Sequence, residues 1–135
     1  MRDAEAPLTE VADPLGLGLE WSLEPPGLVA TFRPRADQHG PPGYLHGGLA
    51  ATVLDETMAS LGFALDGVHC VTATLELKYR KGIALDGQPV RIEAWRETER
   101  PRRTMRVQGR LLLADGTVAV QATGLFVQVQ GEGDG

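Results

Sequence analysis

A histidine, two glycines and an aspartate are the residues of this sequence whose types and spacing best suit catalysis. His46, Gly47 and Gly48 stand where a Pro/Gly-rich loop ends and an apolar helical run begins. Glycines at a helix start leave the first N–H groups approachable, and the positive end of the helix dipole favours an oxygen that carries negative charge. Asp55 lies two turns into the apolar run, where a carboxylate is costly unless it is hydrogen-bonded or functional. Together these residues indicate chemistry on a carbonyl group.

The other candidate groups are weaker. Glu56 is the reserve choice for a base, but it falls about 100° from Asp55 on the helical wheel. Cys70, the single cysteine, stands at a predicted helix-to-strand junction, a position that favours packing. His39 and His69 have no carboxylate or cysteine partner at ligand spacing, so no metal site is expected. No serine stands in a nucleophile elbow.

Hydrophobic periodicity predicts the elements that position these residues. A helix is predicted from Gly47 to Leu65, where large apolar residues recur at spacings of three and four, and Asp66-Gly67 ends it. Alternating apolar residues and intervening turns predict strands at residues 19–23, 28–32, 71–79, 90–98, 104–113 and 117–129. A long helix beside five or six strands joined by short turns predicts an α+β fold, with the helix covering one face of an antiparallel sheet.

Length and composition predict a single globular domain. The chain has 135 residues, of which 42% are hydrophobic, and we expect one domain at 14–130 between a lead-in at 1–13 and a tail at 131–135. No apolar stretch approaches the roughly 20 residues that span a bilayer, and the N-terminus lacks the apolar core of a signal peptide. A single cysteine fits the reducing cytoplasm, which is the expected location.

The charges are distributed unevenly. A net charge of -5 argues against a general nucleic-acid binder. Ten of the thirteen basic residues, but only four of the eighteen acidic ones, lie between Lys78 and Arg110. A basic region on an acidic protein suits a small polyanionic ligand. A solvated sheet face rich in arginine is the equally weighted alternative.

Several stretches resemble the hotdog-fold acyl-CoA thioesterases, and most closely their phenylacetate-pathway branch. They are Pro14–Leu19, Gly40–Gly48, Asp55-Glu56 and Ala122–Phe126, and the resemblance extends from about residue 14 to residue 129. His-Gly-Gly alone is a weak signal, but an aspartate nine residues after that histidine makes the combination fairly specific. The chain departs from the branch at Gly40, where many members carry asparagine, and at Lys81-Gly82, where relatives often have a basic residue and proline.

The resemblance implies a hotdog fold, in which the sheet wraps around a central helix, and hydrolysis of an acyl-CoA thioester without a cofactor. In that family Asp55 would be the catalytic carboxylate, acting as general base or as nucleophile. The N–H of Gly47 or Gly48 would polarise the thioester carbonyl, and His46 would shape the loop and the sulfur side. Thr72 matches the Ser/Thr that orients the water or the carboxylate. The expected assembly is a homodimer with an intersubunit site, pairing further into a tetramer.

Two further sets of residues are candidates for substrate binding. Tyr44, Leu45, Leu61 and Phe63 suit an apolar acyl pocket, although they suit a hydrophobic core equally well. The candidates for binding the phosphates of CoA are basic residues at turns, from which a long side chain can reach a ligand: Arg80, Lys81, Arg102 and Arg103.

Helix geometry independently favours a site shared by two subunits. Gly48 and Asp55 lie on nearly one face of the helix but roughly 10 Å apart along its axis. Oxyanion donors and a base must each lie about 3 Å from the reacting centre, so one helix hardly supplies both. Two antiparallel helices related by a two-fold axis do. Small residues on the same face, which suit either a dimer interface or a helix-on-sheet contact, are Gly48, Ala51, Thr52, Ala59 and Gly62.

Simple alternation separates Thr72 from the residues predicted to face the core. Val71 and Ala73 share the core face in this reading, which places Thr72 on the opposite face. Thr72 then either opens into an intersubunit cleft or is an ordinary strand threonine.

Two other functions remain open on the sequence alone. A hotdog hydratase or dehydratase would act on an enoyl or β-hydroxyacyl thioester and release no thiol. A non-catalytic hotdog protein would bind acyl-CoA without turnover. The sequence does not define the acyl group.

Overall fold

The computed structural model describes residues 15–97 and 103–129. Its helix α1 spans Gly47–Asp66, and its strands are β1 Glu20–Glu24, β2 Gly27–Phe32, β3 Cys70–Tyr79, β4 Val90–Arg96, β5 Thr104–Leu112 and β6 Val118–Gln128. A short 3-10 turn at Ala36–Gln38 lies in the loop before α1. These bounds confirm the α+β class and every predicted element to within two residues. The predicted lead-in at 1–13, the tail at 131–135 and Thr98 lie outside the described residues.

The six strands form one antiparallel sheet in the order β1-β2-β4-β5-β6-β3. Short turns join neighbours on the sheet, as at Asp115-Gly116, where Gly116 has a φ of 89° and donates its N–H to the carbonyl of Leu113. Two connections are exceptions. The helix α1 follows β2 across one face of the sheet and returns the chain at the far edge as β3, and residues 80–89 lead from β3 past β6 and β5 to β4. The helix therefore lies over the middle of the sheet. No helix in the described part of the chain is long and apolar enough to cross a membrane.

One side of α1 is apolar and packs on the sheet. Val53, Leu54, Met58 and Leu61 on that side are almost fully buried. The sheet makes room at Gly109 of β5, where an added Cβ would lie 2.6 Å from the sulfur of Met58. The predicted stop is confirmed: residue 67 adopts a φ of 74° and donates its N–H to the carbonyl of residue 63.

The structure separates Gly62 from the other small residues predicted on the Asp55 face of α1. Gly62 is buried on the sheet side, where an added Cβ would meet the sulfur of Cys70 and the methyl group of Met105, each at 3.1 Å. At Gly62 the helix-on-sheet alternative therefore applies, because this residue makes space for β3 and β5. The small or short side chains that do remain partly or fully exposed are Gly48, Ala51, Thr52, Asp55 and Ala59. They leave an open stripe around Asp55.

A buried ion pair fixes the C-terminal end of α1 to the sheet. Arg96, the last residue of β4, is 7% exposed and donates hydrogen bonds to both carboxylate oxygens of Asp66, the last residue of α1. Its guanidinium also lies 3.5 Å from the sulfur of Met105. An acidic residue at a helix C-terminus opposes the helix dipole, so the arginine offsets an unfavourable charge.

We expect Asp66→Asn to lower the free energy of unfolding by about 2–4 kcal/mol. Removing one partner of a buried pair typically costs about 3–5 kcal/mol, and relief of the dipole repulsion returns less than about 1 kcal/mol. Urea unfolding measures the change. Asp37→Asn is the matched control, because Asp37 pairs with Arg35 at 73% side-chain exposure and should shift stability by less than about 0.5 kcal/mol. Equal effects of the two substitutions would contradict the assignment.

Candidate active site

The start of α1 leaves one backbone amide unpaired. The N–H of His46 donates to the carbonyl of Gln38, that of Gly48 to the Nδ1 of His46, and that of Leu49 to the carbonyl of His46. Helix starts normally leave such N–H groups without intrahelical partners. Within the described residues, Gly47 is the remaining member of this first turn, and its exposed amide donates to no acceptor. The sequence left Gly47 and Gly48 as equal candidates for the N–H group that polarises a carbonyl. The hydrogen bonds favour Gly47.

The imidazole of His46 caps the helix in a defined tautomer. Because its Nδ1 accepts the Gly48 N–H at 2.9 Å, the ring proton in this arrangement lies on Nε2. The ring occupies the space in which a side chain at Gly48 would stand, since an added Cβ there would lie 3.0 Å from Cε1 and Nδ1. Gly40 packs behind His46, with its would-be Cβ 3.1 Å from the His46 Cα. The two glycines thus hold the imidazole from both sides.

Asp55 meets Thr72 across the gap between α1 and β3. The Thr72 hydroxyl donates to Oδ1 of Asp55 at 2.7 Å, in a partly exposed position. An open groove of about 380 Å³ surrounds the pair and is lined by Leu15, Ala51, Thr52, Asp55, Glu56, Thr72 and Leu75. We call it the carboxylate groove. One oxygen of Asp55 is held by Thr72, which fixes the orientation of the carboxylate.

The prediction that Thr72 faces away from the helix was wrong because β3 contains a bulge. Thr72 pairs with Phe126 and Thr74 pairs with Leu125, so Ala73 is an extra residue with no partner on β6. Phe126 is fully buried on the helix side, and residues opposite each other in an antiparallel pair share a face. Thr72 therefore lies on the helix side. Val71 faces outward and is 53% exposed, contrary to the alternation.

A second groove lies beside the free amide. It has a volume of about 240 Å³ and is lined by Leu45, Gly47, Ala50, Tyr79, Arg80, Lys81, Gly82 and Ile83. We call it the amide groove. Gly47 and Asp55 are eight residues apart on one helix, or about 12 Å along its axis. The described chain thus presents two separate halves, one with a carboxylate and one with an amide donor.

The predicted acyl-pocket residues do not form one cluster. Leu45 is 6% exposed and joins the core while also bordering the amide groove. Tyr44 is exposed beside a neighbouring cavity of about 330 Å³, which it shares with Lys81. Phe63 stacks on His69 with ring centroids 4.6 Å apart, and it borders neither groove.

The structure also divides the candidate phosphate-binding residues. Arg80 and Lys81 border the amide groove, and Arg80 donates to the side chain of Gln121 at 2.7 Å. Arg103 is exposed at the start of β5, beside the opposite end of β3, roughly 30 Å away at about 3.3 Å per strand residue. Arg102 lies outside the described residues. One chain therefore offers Arg80 and Lys81 to a single ligand, without Arg103.

Much of the remaining basic segment is paired within the sheet. Arg91 and Arg110 on the outer face each donate to Glu93 at 2.7 Å. Although burial opposes it, these two hydrogen bonds lower the pKa of Glu93 below its ordinary value. Arg96 is committed to the buried pair. The sequence read these residues as one basic region, whereas folding leaves only part of the charge for a ligand.

The reserve groups add little to the site. Glu56 borders the carboxylate groove. Burial raises the pKa of the Cys70 thiol, the Asp66 carboxylate raises it further, and Arg96 opposes them. A raised pKa keeps the thiol protonated and a poor nucleophile. No cluster of three or more potential metal ligands occurs among residues 15–97 and 103–129.

Sequence reasoning missed several residues that border the two grooves. Leu15 and Leu75 give the carboxylate groove apolar walls, and Tyr79 donates its hydroxyl to the carbonyl of Gly47 at 2.7 Å. Period-two alternation did place Leu75 and Tyr79 on one face. Nothing local in the sequence signals which helix residue each would meet.

The family assignment follows from a sequence profile. The profile of the thioesterase superfamily matches residues 42–120, which is more than half of the chain and includes His46, Gly47, Asp55, Thr72 and Tyr79. The chain belongs to the thioesterase superfamily.

Individual relatives agree with this assignment. The chain is 30% identical to the acyl-coenzyme A thioesterase THEM4 of Xenopus laevis over 110 residues, covering 76% of this chain and 45% of the relative. It spans less than half the length of the curated relatives it matches.

Two solved structures confirm the hotdog fold. The E. coli PaaI protein from the phenylacetic acid degradation operon superposes with a TM-score of 0.81 at 17% identity, over 95% of this chain and 91% of that one. The Streptococcus mutans protein smu.793, solved with acetyl-CoA bound, gives a TM-score of 0.78 at 19% identity, over 89% and 94% of the two chains. At these identities the likeness concerns the fold alone.

Deleting Ala73 should convert the β-bulge of β3 into a regular ladder without turning Thr72 away from Asp55. Without the extra residue, Thr72 opposite Phe126 and Thr74 opposite Leu125 become consecutive pairs, so Thr72 stays on the helix side and keeps its hydrogen bond to Asp55. We expect the free energy of unfolding, measured in urea, to change by less than about 1 kcal/mol.

Ala73→Gly keeps the residue count and is the matched control. It should cost less than about 1 kcal/mol, since glycine tolerates bulge conformations. A loss of several kcal/mol in the deletion variant, with Ala73→Gly unaffected, would contradict this reading of the register.

Proposed function

We propose that this protein is an acyl-CoA thioesterase that uses Asp55 as its catalytic carboxylate. The observation that carries the proposal is the pair of complementary half-sites on one helix: a carboxylate held by Thr72, and an unpaired amide at Gly47. A base or nucleophile together with an oxyanion donor is what hydrolysis of a thioester requires. The superfamily profile and the curated acyl-CoA thioesterases among the relatives support the substrate class.

Asp55 acts on the thioester carbonyl carbon in one of two ways. As a general base, it takes a proton from a water molecule whose oxygen attacks the carbon. As a nucleophile, it forms a mixed anhydride that water then hydrolyses. In either route the C–S bond breaks, the CoA sulfur receives a proton, and the acyl group leaves as a carboxylic acid. The Thr72 hydroxyl holds Oδ1, so Oδ2 is the oxygen directed to the reaction.

The start of α1 stabilises the negative charge that develops on the thioester oxygen. The Gly47 N–H is the donor, at the positive end of the helix dipole. His46 shapes this end, and its Nε2–H is a further donor on an exposed ring. At the sulfur side this N–H would hydrogen-bond to the leaving thiolate, which takes its proton from the protonated Asp55 carboxyl or from water.

The complete site is shared by two copies of the chain. The carboxylate groove and the amide groove lie about 12 Å apart along α1, while both groups must lie about 3 Å from one carbonyl. A two-fold axis beside the small-residue stripe around Asp55 would bring the carboxylate groove of one copy against the amide groove of the other. We therefore propose a homodimer as the functional unit, with further pairing into a tetramer.

Arg80 and Lys81 are proposed to bind the phosphates of CoA. Both border the amide groove, next to the atom that would hold the thioester oxygen. Lysine and arginine bind phosphate oxygens through charge-assisted hydrogen bonds. The acyl chain would then extend along the opposite side, where Leu15 and Leu75 provide apolar walls.

Asp55→Asn should reduce CoA release by at least about a thousandfold while preserving the fold. The asparagine side chain has the size of the aspartate side chain and its carbonyl oxygen still accepts the Thr72 hydrogen bond, but the amide is neither a base nor a nucleophile. Thiol release from a panel of acyl-CoAs, followed with a thiol-reactive dye, measures the effect. Glu56→Gln distinguishes the reserve base, and we expect it to retain most of the activity.

If Glu56→Gln is the inactive variant, the roles of the two acids are reversed. Thiol release by neither the parent nor any variant would exclude hydrolysis. Absorbance changes on enoyl-CoA substrates would then identify a hydratase, and calorimetric binding without turnover would identify a binding protein.

Mixing two inactive variants should restore activity if the site is shared. Gly47→Pro removes the amide hydrogen where proline fits, because the first helical position tolerates proline and residue 46 has a ψ of 131°. When Gly47→Pro and Asp55→Asn chains are refolded together, heterodimers contain one intact site. Random pairing makes about half of the dimers heterodimers, and each heterodimer has one intact site out of two. We therefore expect about a quarter of the parent activity.

Gly47→Ala is the control for the proline variant. It keeps the N–H, and its Cβ would be in ordinary contact with Tyr79 at 3.8 Å, so we expect activity within about tenfold of the parent. Each inactive variant refolded alone should remain inactive. A mixture that also stays inactive would place both groups in a site within one chain.

A further inference from the structure

Tyr79 makes a hydrogen bond that the proposed reaction does not by itself require. Its hydroxyl donates to the carbonyl of Gly47 at 2.7 Å, although the residue is 54% exposed and its hydroxyl is accessible to water. Tyr79 is the last residue of β3 and lies on the helix side of the sheet, opposite the buried Val120. Its ring stands beside Gly47, at 3.8 Å from the position of an added Cβ. This exposed tyrosine is thus held against the start of α1.

The Gly47 carbonyl and the Gly48 N–H belong to the same peptide group. A donor on the carbonyl oxygen draws electron density through the planar amide and makes the N–H a stronger donor. That N–H donates to Nδ1 of His46 at 2.9 Å. The hydrogen bonds therefore run in one direction, from the Tyr79 hydroxyl through the Gly47–Gly48 peptide group to the imidazole. We call this sequence of bonds the tyrosine relay.

We propose that Tyr79 is a positioning residue of the active site, acting through the tyrosine relay on His46 and Gly47. Its hydroxyl strengthens the Gly48–His46 bond, which fixes the imidazole in the Nε2–H tautomer. It also fixes the plane of the first helical peptide, so that the neighbouring Gly47 N–H keeps one direction. This inference rests on the proposed thioesterase function, in which these two donors serve the thioester.

The relay explains why the two glycines act differently. If the Gly48 N–H were released from His46, the imidazole would be free to rotate and its Nε2–H would no longer keep one direction. With the relay in place, Gly48 is committed to the cap and Gly47 alone faces the amide groove. Pre-organised donors stabilise developing charge best because they need no reorganisation during the reaction.

Tyr79→Phe removes the hydroxyl and keeps the ring. We expect kcat for thiol release to fall about tenfold, the effect of one neutral hydrogen bond. KM should change less than about twofold, because the lost hydroxyl acts on donors to charge that develops only in the transition state. Thr123→Val is the matched control. It removes a hydroxyl that donates to Gln108 at 2.9 Å on the outer sheet face, away from both grooves, and should leave kcat unchanged.

Nuclear magnetic resonance tests the relay without reference to activity. In Tyr79→Phe the resonance of the Gly48 amide proton should shift upfield, because a weaker hydrogen bond deshields the proton less. The same proton should exchange with solvent faster, because it is less protected. The nitrogen-15 signals of His46 should show mixing of the two neutral tautomers. Thr123→Val should change neither signal. A purely structural role for Tyr79 would lower the melting temperature without these changes.

The outcomes separate this inference from the proposed function. If the parent is active and Tyr79→Phe keeps its kcat, or keeps its Gly48 and His46 signals, the positioning role is wrong. The thioesterase assignment is unaffected by that result. If the parent releases no thiol from any acyl-CoA, the thioesterase proposal and the positioning role of Tyr79 are both wrong, whatever the signals show. A fall in kcat together with the spectral changes establishes the role of Tyr79.

Discussion

Burial of one side of α1 against the sheet is the constraint on which the other features depend. Leu54, Met58 and Leu61 are nearly inaccessible to solvent, and each such side chain contributes about 1.5–3 kcal/mol when fully buried. With that side fixed, the helix has no freedom to rotate, so Asp55 is held in the gap between α1 and β3, where it meets Thr72. The ion pair between Arg96 and Asp66 at one end prevents the helix from sliding. The position of the proposed catalytic carboxylate is thus a consequence of core packing.

The proposed hydrolytic groups lie at two points on α1 that one chain does not bring together. The first turn satisfies all of its amides except that of Gly47, and the third turn carries the Asp55 carboxylate. Their separation of about 12 Å follows from helix geometry alone. A single chain therefore holds the two groups too far apart to act on one carbonyl. In the homodimer that we propose, a second copy in an antiparallel orientation would supply the missing group.

The pairing of strands in the sheet, and not the order of residues in the sequence, decides which charged side chains lie close together. Lys78 to Arg110 is strongly basic in sequence, yet consecutive strand residues alternate between faces, and facing strands bring acids to the same surface. Glu93 accepts from Arg91 and Arg110, and Arg96 turns inward to Asp66. Arg80 and Lys81 remain beside the amide groove because they follow the end of β3. Among the residues that the structure describes, these two are the basic residues that border the amide groove and suit the proposed phosphate contacts.

The sequence by itself determined the elements, because periodicity, the helix stop at Asp66-Gly67 and the turn residues are local signals. It also singled out His46, the two glycines and Asp55, since a helix start and a misplaced carboxylate are visible in one dimension. Only the tertiary structure decided that Thr72 faces Asp55, because one extra residue, Ala73, reverses the alternation of β3. The tertiary structure also distinguished Gly47 from Gly48. The two residues are equivalent in the sequence, but the ring of His46 accepts the N–H of Gly48 and leaves that of Gly47 unpaired. Contacts across 17 or 32 residues, such as Thr72 with Asp55 and Tyr79 with Gly47, depend on how the whole sheet packs against the helix, and no local pattern encodes that.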